Sequence, residues 1–288
     1  MSSFTLLFLA LSLYCSLQFV GSVSANFFPA SVPAHSIEIT ANGEVNGTDK
    51  IQRSGNIYTF TGDVVGSIVV SRSGIVIDGA GYTLQGNGNL TGIWLQEKNN
   101  VEVKNLHIRN FRSGIILTFG WSLDGCTDIT LSGNTITDNQ ENGINFFESP
   151  NVRIVGNAIT ENIGYGVKLW FHSNNCSIYH NNFVNNEKSA LADSQPTCWD
   201  NGTAGNYWGD YTGVDNNGDG IGDTSYSIGD GNTDIYPLME PFEVPETEIP
   251  DGIPEFPSWT PFLIVLVAVT ALAIIYNRRI LNEKCRSR

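Results

Sequence analysis

The chain has 288 residues and a formal charge of −14, and its hydrophobic residues make up 41% against only 15% charged. Setting aside the basic C-terminal residues Arg278, Arg279, Lys284, Arg286 and Arg288 together with Glu283 leaves 10 Lys+Arg against 28 Asp+Glu. So acidic a surface argues against nucleic acid as a partner and suits cation binding or solubility.

In chain order, the apolar run from Phe4 to Val20 followed by Val23-Ser-Ala25 reads as a signal peptide, residues 1–25. Residues 26–35 are expected to cap the first exposed edge of the β-structure. Ser36-Ile-Glu-Ile-Thr40 is an opening strand, and Tyr58 to Phe60, Ile68 to Val70, Ile75 to Ile77 and Tyr82 to Leu84 alternate in the same way.

A repeat then takes over. Gly92-Ile-Trp-Leu95, Gly114-Ile-Ile-Leu117, Gly143-Ile-Asn-Phe146 and Gly166-Val-Lys-Leu169 recur at steps of 22, 29 and 23 residues, and Ala190-Leu191 continues them. Between them lie two asparagine columns, Asn134, Asn157, Asn181 and Asn139, Asn162, Asn186, with Asn110 expected to begin the second. Each unit holds three strands too short to be helices, separated by Asn and Gly turns. One unit is therefore one triangular coil, and stacked coils bury a shared inner column that no single coil could bury. This predicts an all-β chain, a right-handed parallel β-helix of about seven coils over residues 26–195. The asparagines are scaffold that satisfies turn amides along the stack.

The 29-residue step inserts a loop at residues 119–125, and such insertions mark a working face. Trp94, Phe119, Trp170 and Phe171 are read as one outer aromatic column and the candidate ligand-binding surface, suited to extracellular polysaccharide or another envelope component. Glu97 and Glu148 each follow a coil glycine by five residues, which makes them the candidate carboxylate pair of a hydrolase. A lyase and a purely structural, adhesive surface protein compete with these readings. Cys176 and Cys198, 22 residues apart, are the candidate disulfide, with three free thiols as the rival expectation.

Residues 196–240 form an aromatic cap rich in Asp, Asn and Gly. Within it Asp215, Asn217, Asp219, the Ile221 carbonyl and Asp223 fall at positions 1, 3, 5, 7 and 9 of a calcium-type loop, with Gly220 at the sharp turn. Calcium there would be structural. Asn46, Asn89, Asn175 and Asn201 head glycosylation sequons in turns. Residues 241–258 alternate prolines with acids as an extended stalk, and 259–277 carry no charge and read as one transmembrane helix. The basic residues of 278–288 place that tail in the cytoplasm and the ectodomain outside.

Ser67-Ile-Val-Val70, Ile75-Val-Ile-Asp-Gly-Ala-Gly-Tyr82, the Gly-Asn-x-Ile units and Gly205-Asn-Tyr-Trp-Gly-Asp-Tyr-Thr-Gly213 together resemble the NosD-type right-handed β-helix (PbH1-repeat) proteins, as a membrane-anchored archaeal surface member. The resemblance covers residues 36–240 and implies the fold and an envelope location. Some members are named for copper delivery. Soft copper sites favour Cys, Met and His, and the segment outside the membrane offers only Met239, four histidines and three cysteines, so copper is not carried over.

Overall fold

Apolar residues at every second position leave each short strand with one face to bury, and the coils bury these faces against one another. The structure, a computed structural model, describes residues 36–118, 125–193 and 197–244. They form a right-handed parallel β-solenoid of about six turns without helix. In one turn, Thr91–Gln96, Asn99–Lys104 and His107–Arg109 make three sides, and Ser113–Thr118 begins the next. Equivalent sides stack into three sheets of 8, 8 and 7 strands, the first, second and third faces.

The inner columns are in strict register. On the first face Ile68, Ile93, Ile115, Ile144 and Val167 align. On the third, Leu84, Ile108, Ile136, Ile159, Phe183 and Trp208 do the same. All of these side chains are buried. The repeat's glycines have a steric cause, since a Cβ on Gly92, Gly114, Gly143 or Gly166 would stand 2.5 to 2.7 Å from a carbonyl oxygen of the next coil. That column continues to Ser189, one residue before the expected Ala190, which pairs with Val167 instead.

The asparagine columns are ladders. Asn157 Oδ1 accepts from the backbone N–H of Asn134 at 2.9 Å and from its Nδ2 at 3.0 Å, and Asn181 does the same for Asn157. The second ladder runs Asn139, Asn162, Asn186. Its upper neighbour is Phe111, whose N–H donates to Asn139, so Asn110 does not begin it: Asn110 sits one residue earlier, at φ 57°, and donates to the Gly86 carbonyl.

There is about one turn fewer than expected, and residues 45–54 serve the N-terminal edge, while Ile57–Phe60 stacks parallel on Ile75–Asp78 in the second face. Val45–Asn46 pairs antiparallel with Ser36–Ile39, and Ile51–Ser54 with Ile57–Phe60, closing two faces with strands that cannot propagate the coil. At the other end the solenoid runs past residue 195, since Thr197–Cys198 joins the second face and Tyr207–Trp208 the third. The expected disulfide is absent: Cys176 pairs with Thr197 and Cys198 with Ser177, and the thiols of Cys126, Cys176 and Cys198 are all free. This one-residue offset sends Cys176 inward, where it is buried, and leaves Cys198 exposed on the opposite side of the sheet.

Trp208 is stacked between Phe183 at 4.5 Å and Tyr226 at 4.3 Å, continuing the core column into the cap. The hairpin of Tyr226–Gly229 and Asn232–Asp234 closes over it. Where the chain leaves, Phe242 is bonded through both backbone groups to Asn182 at 2.8 Å and its ring stacks on His180 at 4.4 Å.

The signal peptide 1–25, the capping stretch 26–35, Phe119 with loop residues 119–124, and everything from 245 onward lie outside the described residues. That last part includes most of the 241–258 stalk, the 259–277 span and the 278–288 tail. Among the described residues no helix is long and apolar enough to cross a membrane.

Candidate functional site: the outer surface of the first face

Alternation sends every second residue of the first-face strands outward. Register then stacks Trp94, Ile116, Asn145, Lys168 and Leu191 in one outer column. Phe147 and Trp170 align in the column beside it. Phe147 lies 6.3 Å from the Trp170 ring and 4.9 Å from the ring of Phe171, which stands at the corner and is 37% exposed. The Lys168 ammonium lies 3.9 Å over Trp170 and 5.1 Å from the Tyr165 centroid.

This surface holds unusual polar groups. Among the described residues four buried side-chain nitrogen or oxygen atoms have no hydrogen-bond partner, and three of them are here: Trp94 Nε1, Asn145 Oδ1 and Trp170 Nε1. Asn145 is only 9% exposed although it points out of the barrel. An unpartnered buried polar group costs about 1–3 kcal/mol, so three on one face are a standing cost. Burial pulls the Lys168 amine below the usual lysine range; the nearby charge of Glu141 restores part of this and Lys188 opposes it.

The sequence places these residues unevenly. Trp94 and Trp170 do share the face but stand in different columns, two residues out of register. Phe171, at φ 35°, instead stands at the corner beside Glu148, whose N–H donates to its carbonyl at 3.0 Å. Glu97 and Glu148 stand at turns of φ 52° and 48°, and Glu148 lies 3.8 Å from His172. Asn145, Phe147, Tyr165 and Lys168 were missed. For Asn145, Phe147 and Lys168 the signal was the outward positions of the same strands, alternating with Ile144, Phe146, Val167 and Leu169.

The calcium-type loop is exposed and folded on itself. The Asp215 carboxylate accepts from the N–H groups of Gly218 at 2.7 Å, Asp219 at 3.3 Å and Gly220 at 2.9 Å, and these bonds, Gly220 first, hold it below the usual carboxylate range. Asp219 accepts from Ile221 N–H and from Asn217 Nδ2, and Asp223 from Asn216. The four sequon asparagines Asn46, Asn89, Asn175 and Asn201 are all exposed.

Stacked parallel coils define a β-helix protein. The family of periplasmic copper-binding proteins (NosD) matches over residues 30–213, and the chain belongs to it. Among solved structures, the periplasmic alginate epimerase AlgG is 15% identical, with a TM-score of 0.30, over 46% of this chain and 39% of that one. No curated protein matches the chain.

The family's description raises copper, and the donors do not fit it. Cys126 and Cys176 lie inside the coils with their thiols against the carbonyls of Leu95 and Ser173, and burial pushes Cys176 up to about 12, far from a ready thiolate. His107 is on the third face, His172 at a corner and His180 under Phe242. Among the described residues no three His, Cys, Asp or Glu side chains gather as a metal-holding set.

Proposed function

We propose that this chain is a glycan-binding protein of the cell envelope, and that it holds carbohydrate on the outer surface of the first face. The observation that carries the reading is that Asn145 Oδ1 and Trp170 Nε1 are buried and unpartnered beside the rings of Phe147 and Phe171, on the face that also carries the unpartnered Trp94 Nε1. Sugars supply both halves of what this surface lacks: hydroxyls that donate and accept, and C–H faces that lie on aromatic rings. The envelope location rests on the family's periplasmic description and on the leader and apolar span read in the sequence.

The test uses the full-length chain in detergent against a polysaccharide panel, measuring retention and release of reducing ends. Retention without cleavage, weakened about tenfold in Asn145→Ala, is the expected result. Cleavage abolished in Glu97→Gln or Glu148→Gln would replace binding by hydrolysis. Absence of both retention and cleavage would overturn the glycan reading.

Calcium in the 215–223 loop belongs to the same proposal. It is supported by the sequence, which puts oxygen groups at positions 1, 3, 5, 7 and 9 around Gly220.

A further inference from the structure

We infer that the sugar bound at this face is anionic, a uronate unit whose carboxylate docks on Lys168; the inference rests on the glycan reading above. Acids outnumber bases nearly threefold outside the C-terminal tail, so carboxylates are plentiful. Lys168 nonetheless makes no salt bridge among the described residues. Its charged neighbour Glu141 is held by Arg112, at 2.7 Å from Nη2 and 2.8 Å from Nε. Lys188, one coil on, stands near the Tyr165 hydroxyl at 3.5 Å and adds a second positive charge to the same end of the face.

The Lys168 ammonium is aimed rather than loose. Trp170 and Tyr165 hold it by cation–π contact, which fixes position but leaves its N–H donors without an anion. Burial already weakens its hold on the proton, so part of the desolvation that an arriving anion would impose is present beforehand. The groups around it complete a recognition set. Asn145 is the register partner of Lys168, and Trp170 is two residues along the same outward side. A sugar carboxylate can thus accept from Lys168 and from Trp170 Nε1, while a ring hydroxyl donates to Asn145 Oδ1 and the apolar ring edge meets Phe171. A neutral sugar would satisfy the orphaned Trp and Asn atoms but would leave the ammonium uncompensated. Charge-assisted bonds are the stronger kind, which favours the carboxylate.

The test compares full-length protein in detergent on polygalacturonate, on its carboxyl-reduced neutral form and on a sulfated galactan. Wild type should bind the polyuronate about tenfold or more tightly than the reduced form. Lys168→Gln should erase that preference, so that the polyuronate and its reduced form bind alike, and Lys168→Arg should keep it. Raising the pH should fade the preference in wild type below the ordinary lysine range and leave the Arg variant unchanged, a readout that mere structural damage would not give. Equal binding to the charged and reduced forms, with Lys168→Gln silent, would overturn the uronate and leave the glycan reading standing. A preference for the sulfated galactan alone would likewise overturn the uronate. No retention of any polysaccharide would remove the glycan reading itself, and this inference with it.

Discussion

At the scale of single residues, Asp234 is the terminal rung of the first asparagine ladder. Asn206 follows Asn181 in that ladder, and in place of a further asparagine its N–H donates to the Asp234 carboxylate at 2.7 Å. Trp208 Nε1 at 2.9 Å and Tyr236 N–H at 3.0 Å complete the set, and Gly205 lies so close that a Cβ there would overlap the carboxylate. Asp234 is fully buried, and burial pushes it up to about 6 despite these donors. Its folded pKa thus lies above its ordinary value of 3.8, so the native state binds the proton more tightly than the unfolded chain does. Its contribution to stability is greatest in acid and declines as pH rises from about 4 through about 6, by on the order of 3 kcal/mol. Asp234→Asn is expected to be destabilised through misplaced amide donors, but to lose this pH dependence. The difference in unfolding free energy between wild type and variant should shrink steadily from about pH 4 to about pH 7. A difference that stays flat across that range would sink the assignment.

At the scale of elements, what the sequence made legible was whatever repeats as a clash or a hydrogen bond between coils. The Gly92, Gly114, Gly143 and Gly166 markers were readable because each has the next coil's carbonyl where a Cβ would go, and the asparagines because each rung bonds the one before it. One-residue register was not readable. Asn110, Ala190 and the Cys176–Cys198 pair all failed by a single position: the paired steps there are 28, 23 and 21 residues where 29, 24 and 22 were expected, and one residue turns a side chain to the other side of the sheet. The site was legible only in part. Trp94 and Trp170 announce themselves as large outward aromatics, whereas the orphaned state of Asn145 and the uncompensated charge of Lys168 depend on neighbours one and two coils away. The steric account of the glycines can be checked directly. Gly143→Ala would place a Cβ 2.7 Å from the Gly166 carbonyl oxygen and 3.0 Å from Asn162 Nδ2 and Ile159, all fixed in the stack. It should cost about 1–3 kcal/mol in denaturant unfolding. Gly74→Ala, whose new methyl meets nothing within 4 Å and carries only the strain of φ +69°, should cost about 1–2 kcal/mol at most. The reverse order would mean that coil spacing does not select these glycines.

For the molecule as a whole, the stability of a solenoid is close to a sum over neighbouring coils, so unfolding starts where a coil has only one neighbour. The two ends are protected differently. Antiparallel strands close the N-terminal end, and the C-terminal end depends on Trp208 and Tyr226 stacked over Phe183, with the 215–223 loop outside them. That loop is tied to the last coil through few bonds. Ile221 bridges to Leu238, which bridges in turn to Tyr207, while Gly222 N–H reaches the Pro237 carbonyl at 2.8 Å and Met239 N–H the Gly220 carbonyl at 3.0 Å. Calcium held by Asp215, Asn217, Asp219, Asp223 and the Ile221 carbonyl would fix both sides of this linkage together, and fraying from that end would then require releasing the ion. Loops of extracellular type bind calcium at roughly 0.1–1 mM, so about 10 mM calcium corresponds to some 10–100 times Kd and about 1.4–2.7 kcal/mol of stabilisation. The melting temperature of the full-length protein should therefore rise by a few degrees in about 10 mM calcium. Magnesium, which demands a tighter octahedral set, should give less. Asp219→Ala should abolish the response while leaving glycan retention on the first face intact, because the two surfaces share no residue. No calcium response in wild type, or one that persists in Asp219→Ala, would remove calcium from this loop.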